Sequence, residues 1–189
     1  ITVYAAATTN YNQSASKTIS VTANMVPNVT WANGSASDIK AMVDADAAGT
    51  IDLNNYWATG DTRTVTLPAM AATGVGESHA AQSVSYVLEK YTSLPLVTTL
   101  SSGRSVSKFV IHQKESLATG GYMNSTTTNS GGWNNCARRT WCNSVYKQAF
   151  VNVMGDIIHQ FKHLSATSSS ATTQSNDYFA LPTEYQVHG

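Results

Sequence analysis

Charge is what this sequence has least of. Lys and Arg together number 11 and Asp and Glu 11 in 189 residues, and they cancel to a formal net charge of zero. A chain with no basic excess has no electrostatic hold on a nucleic-acid backbone or an anionic membrane surface, so neither is expected as a partner. Long apolar runs are also missing. None approaches the 18 or more residues of a membrane span, so membrane insertion is not expected. An initiating Met and a signal-like segment are lacking too: residue 1 is Ile, and the last residues read EYQVHG. The expectation is an internal or processed piece of a longer polypeptide.

What is present is hydroxyl and amide. Ser and Thr make up roughly a quarter of the chain, well above ordinary usage, and Asn is frequent. Such a surface stays soluble without charge, which fits extracellular or virion-surface β-proteins. Hydrophobic residues, at 42%, suffice for a packed core. The length suits one domain, or one domain and a fragment of another.

Along the chain, ITVYAAA (1–7) and KTISVTA (17–23) alternate like strands around the turn chemistry of 9–16. Two strands alone are marginal in water, so they are expected to complete a β-sandwich that begins earlier. Residues 25–35 form a linker with Pro27 and Gly34. Residues 35–49 predict a helix: Ser35 or Ser37 caps it, Ile39, Met42 and Val43 share a face, and Gly49 stops it. Strands are predicted over 63–67, 83–91 and 105–113, with loops at 72–82 and 115–133. Helices are predicted over 134–147 and 151–164. In the second, Val153, Ile157 and Phe161, with Met154 and Ile158, recur at four-residue spacing. SATSSSATTQSN (165–176) reads as a flexible low-complexity loop. The segment 177–189 reads as a short strand, a turn at Pro182 and a helix capped by Thr183. Mixed helices and antiparallel strands give an α+β class.

The densest chemistry is GGWNNCARRTWCNS, residues 131–144, with two Trp, two Arg and both Cys. On a helix, Cys136 and Cys142 would sit about 240° apart around the axis and about 9 Å apart along it. A disulfide needs Cα atoms within about 7 Å, so none is expected, and the two thiols read as small buried groups. A zinc site would show close Cys pairs. Those are absent, although His159 and His163 lie at i, i+4, so no metal is assigned. Trp133, Arg138, Arg139 and Trp141 are the candidate binding residues, since guanidinium planes and indoles hold sugars, carboxylates and peptides. Helical spacing sets Arg138 and Trp141 on one side and Arg139 elsewhere. The competing reading is architectural: Trp packs, and Arg bonds loop carbonyls that would otherwise go unpaired.

Glu77, Ser78 and His79 lie in the Gly-rich GVGESHAAQ. Adjacent residues rarely aim at each other as nucleophile and base, and no G-x-S-x-G elbow or phosphate loop is present. Glu77 and His79 are therefore read, with Cys136 and Cys142, as structural, His79 with its ring bonded to backbone. A cell-wall hydrolase built on Glu77 and His79 would need paired carboxylates or a metal, and acidic residues cluster only at Asp44 and Asp46. No catalytic residue and no cofactor is assigned. N-x-S/T occurs at Asn12, Asn28, Asn33 and Asn124, close to chance in this composition.

The stretches DLNNYWATGDTRTVTL, GVGESHAAQ, GYMNSTTTNSGGWNNCARRTWCN and DYFALPTEYQVHG resemble a domain family of unknown function carried by gut Firmicutes, their prophages and phages. The resemblance covers residues 36 to 189. Members occur as phage structural or tail proteins. In that family a further portion follows, with a Trp-Trp-x-Arg-Ser segment and closing strands, which the resemblance places beyond residue 189. Residues 1–24 resemble the last two strands of a bacterial immunoglobulin-like domain. ALPTEY is similar to the L-P-T-E-x-E-W segment of the formylglycine-generating-enzyme branch of C-type-lectin-like folds. Together these imply a non-enzymatic virion or tail-associated structural protein at the virion surface or outside the cell. Its implied partners are copies of itself or other virion proteins, with a surface shown to a host glycan or protein. The alternative is a bacterial cell-surface adhesin or carbohydrate-binding module.

Overall fold

The computed structural model describes residues 2–3, 17–18, 25–75, 77–126, 128, 131–168 and 171–181. It is an α+β protein with antiparallel sheets. Near the N-terminus, β1 (Thr2–Val3) pairs with β2 (Lys17–Thr18), Thr2 opposite Thr18. The rest of the expected immunoglobulin-like hairpin, like the turn and helix expected after Pro182, lies outside the described residues.

Helix α1 (Ala36–Ala48) begins as its sequence predicts. Ser35 is the N-cap and Asp38 returns the bond to the Ser35 backbone, which closes a capping box. Gly49 ends the helix at φ 79°, a left-handed conformation that glycine adopts without steric cost. Ile39 and Met42 are fully buried. Asp46, on the same helix, is buried too. It accepts from Leu53 N at 3.1 Å and holds Arg104 and Lys108, each at 2.5 Å. Burial alone would raise its pKa, but the bonds from Lys108, Arg104 and Leu53 leave it below the ordinary value. Two of these partners, Arg104 and Lys108, lie 58 and 62 residues away, so one buried carboxylate fixes a distant hairpin to α1.

That hairpin belongs to the main sheet, ordered β3 (Thr62–Leu67), β4 (Gln82–Lys90), β5 (Phe109–Gln113), all antiparallel. The β4–β5 ladder continues irregularly beyond Lys90. Tyr91 N donates to Lys108 O, Ser107 N to Leu94 O and Leu96 N to Ser105 O. Period-two alternation sorts the faces. Leu67, Val84, Tyr86 and Leu88 point to the core, while Thr64, Thr66 and Ser83 point to solvent.

The second half departs from the helical expectation. Residues 132–154 form one interrupted helical run. Helix α2 (Gly132–Asn135) ends at Cys136, whose extended backbone (φ −84°, ψ 152°) makes it the N-cap of α3 (Ala137–Trp141). A π-helical turn, Cys142–Tyr146, leads into α4 (Lys147–Met154). The helix predicted to continue to Leu164 does not. Gly155 (φ 76°, ψ 173°) leaves helical geometry, and its N–H closes the last turn on Val151 O at 2.8 Å.

The chain then forms β6 (Phe161–Ser168), paired with β7 (Ala171–Asp177), where a helix end and a flexible loop were expected. The reason is visible in its side chains. The hairpin turns His163, Ser165, Ser175 and Asp177 inward and leaves Leu164 60% exposed. Its buried face is polar, so it carries no hydrophobic period to read. Leu96 bridges to Phe161, which ties this hairpin to the irregular arm after β4.

Candidate functional site

The knot at 131–144 has two halves, and each arginine serves one of them. Arg138 is ion-paired to Glu77, and both side chains are about nine-tenths buried. Its Nε donates to Tyr122 O at 3.2 Å and its guanidinium lies 5.3 Å over the Trp141 ring. Trp141 Nε1 donates to Ala71 O at 2.8 Å. A Cβ on Gly121 would run into both the Glu77 carboxylate and the Arg138 guanidinium. That close approach explains a glycine in the loop that passes over the pair.

Arg139 points the other way. Its Nε donates to Asp177 Oδ1 at 2.7 Å and its Nη2 to Asn176 O at 3.0 Å. Asp177, fully buried, also accepts from Trp133 Nε1 at 2.9 Å, Ser175 Oγ at 2.6 Å and Asn143 Nδ2 at 3.2 Å. His163 Nδ1 stands 3.6 Å from the same carboxylate, beyond hydrogen-bond range. Burial pushes the Asp177 carboxyl upward, but its neighbours His163, Ser175 and Trp133 and the charge of Arg139 hold it at about 2. The structure thus separates the four candidate binding residues into two pairs. Arg138 and Trp141 lie together, as do Arg139 and Trp133, and each pair is anchored to a different distant segment. Neither indole offers a free face, since Trp133 and Trp141 are both buried.

Of the residues expected to be structural, Glu77 is the ion partner just described. His79 is buried and its ring lies 5.3 Å from that of Trp141. The expected side-chain bond from His79 to backbone is corrected. Neither ring nitrogen bonds a described residue, and it is the His79 main chain that pairs with Met70, at 2.8 and 2.9 Å. Burial moves its pKa down, so the ring is held neutral. Cys136 caps α3, its Sγ accepting from Arg139 N at 3.3 Å. Both thiols are free and buried, and burial pushes Cys142 up to about 12. His159 and His163 do not share a helix, since β6 begins between them. Among the described residues no group of three or more His, Cys, Asp or Glu is placed to hold a metal, and no helix is long and apolar enough to cross a membrane.

Asn143 is a residue that sequence reasoning missed. It projects from the π-helical turn, accepts from Tyr178 N at 2.6 Å and Phe179 N at 3.2 Å, and donates to Phe179 O at 3.0 Å. It therefore sets the course of the chain after β7. No local signal marks this role, because apart from Arg139 O, four residues back, its partners lie 34 to 36 residues away.

Among the described residues, two surfaces stand out. One is a cleft of about 720 Å³ beside β5. Its walls include Phe109, Ile111, Tyr146 and Phe179, with Tyr122 and Leu181 also lining it. In it the Tyr86 and Tyr146 hydroxyls bond each other and Tyr146 bonds Gln113. Burial pushes Tyr86 up to about 12 and raises Tyr146 as well, so both stay neutral donors. The other surface is the solvent face of the main sheet. There Thr64 pairs with Ser85 at 3.0 Å and Thr66 with Ser83 at 3.1 Å, forming a ladder of cross-strand hydroxyls. Beside the ladder, Glu89 and His112 lie 3.3 Å apart.

Comparison of the chain with protein-family models, curated proteins and solved structures finds no match.

Proposed function

We propose that this chain is a non-enzymatic structural module of a bacteriophage virion or tail. It assembles with copies of itself or with other virion proteins and presents the hydroxyl ladder of its main sheet to host-surface glycans. The virion assignment rests on the long stretches between residues 36 and 189 that resemble a domain family of unknown function, several of whose members are phage structural or tail proteins, and the lectin-like element of the resemblance is part of the same proposal.

One observation carries the display reading: the split between inside and outside. Arg138 and Arg139 are committed to Glu77 and Asp177 within the molecule. The exposed ladder offers paired hydroxyls, Thr64 with Ser85 and Thr66 with Ser83. Hydroxyls in fixed register both donate and accept, which matches the chemistry of sugar hydroxyls.

The test has two arms. Peptides of this chain are sought by mass spectrometry in purified phage particles, and the isolated chain is applied to a glycan array beside Thr64→Lys and Thr66→Lys variants. The expected result is virion-borne peptides and glycan binding that both variants lose without a change in melting temperature. Peptides found only on bacterial cells would move the assignment to a surface adhesin. Binding unaffected by either variant would remove the sheet face as the display surface.

A further inference from the structure

We infer that His79 is an acid-sensitive latch: protonation of its buried ring releases Glu77 and His79 from α3 and uncovers Arg138 and Trp141. This is a regulatory device in the interior and stands apart from the function proposed above.

The joint is built from three segments. Met70 N donates to His79 O at 2.8 Å and His79 N to Met70 O at 2.9 Å. That bridge holds the imidazole in the interior, where it is 3% exposed and lies 5.3 Å from the Trp141 ring. Trp141 fastens the same segment through its Nε1, which donates to Ala71 O at 2.8 Å. Glu77 fastens it again through the ion pair with Arg138. A third segment crosses the pair, since Tyr122 O accepts from Arg138 Nε at 3.2 Å and Met123 O from Arg138 N at 2.8 Å. The ring therefore sits inside a joint whose other contacts all end on Arg138 or Trp141.

A neutral imidazole is tolerated in such a place and an imidazolium is not. Both ring nitrogens are shut off from solvent, and neither has a hydrogen-bond partner among the described residues. A second N–H would enter the interior unpaired, together with a charge. Two charges face the ring. Glu77, from its own segment, favours a proton there, and Arg138, from α3, opposes one. Glu77 cannot serve both cations. If it turns to the imidazolium, Arg138 loses its buried counter-ion, and if it stays, the imidazolium has none. The joint weakens in either case. Burial outweighs both charges and holds the closed ring below the ordinary 6.5. As pH falls through 6.5 the opened form therefore binds the proton first. The latch is at full strength above that pH and weakens progressively below it.

The test is hydrogen exchange on the full chain, read by NMR at the Met70 and His79 amides and the Trp141 indole N–H. Protection is taken relative to the unfolded rate at the same pH. The expected result is protection about tenfold lower at about pH 5.5 than at about pH 7.5, the ratio that linkage gives for an opened-form pKa near 6.5. At about pH 5.5 these sites should also be less protected than the Leu88 amide, which bonds Asp61 O at 2.9 Å, because the latch opens without the sheet. His79→Phe keeps an aromatic ring at the site with no nitrogen to titrate, and should abolish the tenfold fall. In the unaltered chain the His79 ring signals should titrate below 6.5. Four results overturn the inference: protection that is the same at both pH values, protection equal to that of Leu88, a fall that persists in His79→Phe, or a ring that titrates at 6.5 or above while the amides stay protected. The last is read without the variant.

Discussion

Trp133 Nε1 donates to Asp177 Oδ2 at 2.9 Å across 44 residues, and through that bond the start of the helical run is fastened to the end of the β6–β7 hairpin. Arg139, Ser175 and Asn143 converge on the same carboxylate. A buried charge is tolerated when its lone pairs are filled and a counter-charge is present, and both conditions hold at Asp177.

Asp177→Ala leaves the Arg139 guanidinium and the Trp133 indole without their buried acceptor. The expected cost is about 3–5 kcal/mol, the range for breaking one partner of a buried pair, checked by urea denaturation at neutral pH. The pH dependence has a definite sign. The folded carboxyl sits at about 2, below the ordinary 3.8, so the unfolded chain binds this proton first as pH falls. The stabilisation is complete above about pH 5 and is lost progressively through the window from 3.8 down to about 2. The Ala variant should therefore show a flatter decline of stability with acid than the unaltered chain. Parallel declines would remove Asp177 as the linked group.

Arg138→Ala should lower stability by about 3 kcal/mol or more, because Glu77 is left buried and unpaired. The double replacement Glu77→Leu with Arg138→Met should recover much of that loss, since no charge then remains to be desolvated. Calorimetric melting of the single and double variants checks this. Gly121→Ala should mimic the single loss by forcing the pair apart. If Arg138→Ala melts like the unaltered chain but loses ligand binding, the guanidinium is a binding group and its architectural role is refuted.

Tyr146→Phe removes the hydroxyl that Tyr86 and Gln113 share, and should cost about 1–3 kcal/mol by leaving buried partners unmet. In the unaltered chain both phenols are held neutral, Tyr86 up to about 12. Alkaline titration followed by phenolate absorbance should therefore leave two tyrosines un-ionised at about pH 11 that ionise in denaturant. Because the folded state holds these protons more tightly, folding stability should fall as pH rises above about 10.

Cys136 and Cys142 are free and buried, and burial raises the Cys142 thiol to about 12. A polar thiol reagent should modify neither in the native chain, and both once the chain is unfolded. Rapid modification of Cys142 under native conditions would mean that the π-helical turn opens readily.

Sequence pattern and structure agree most closely where local rules dominate. Ser35, Asp38 and Gly49 delimit α1 because capping is settled within a few residues. The three strands of the main sheet follow their alternation because one face is core and the other is water. The π-helical turn and the break at Cys136 were not readable, since both answer to partners far along the chain.

The sequence alone determined the elements whose stabilisation is local or whose buried face is apolar: α1, β3, β4, β5, and the pairing of Arg138 with Trp141 on one side of a helix. Only tertiary structure decided the fate of residues 155–177. There the four-residue recurrence of Val153, Ile157 and Phe161 imitated a helix, while SATSSSATTQSN imitated a loop. Gly155 stops the helix, and the hairpin that follows buries His163, Ser165, Ser175 and Asp177 while exposing Leu164. The charged end of that face, Asp177, is buried because partners elsewhere satisfy it, and those partners, Trp133, Arg139 and Asn143, lie 34 to 44 residues away, whereas the His163 ring and the Ser165 hydroxyl find no hydrogen-bond partner among the described residues. Hydrophobic periodicity reports burial against apolar neighbours, and it carries no trace of burial made possible by hydrogen bonds formed only in the folded chain.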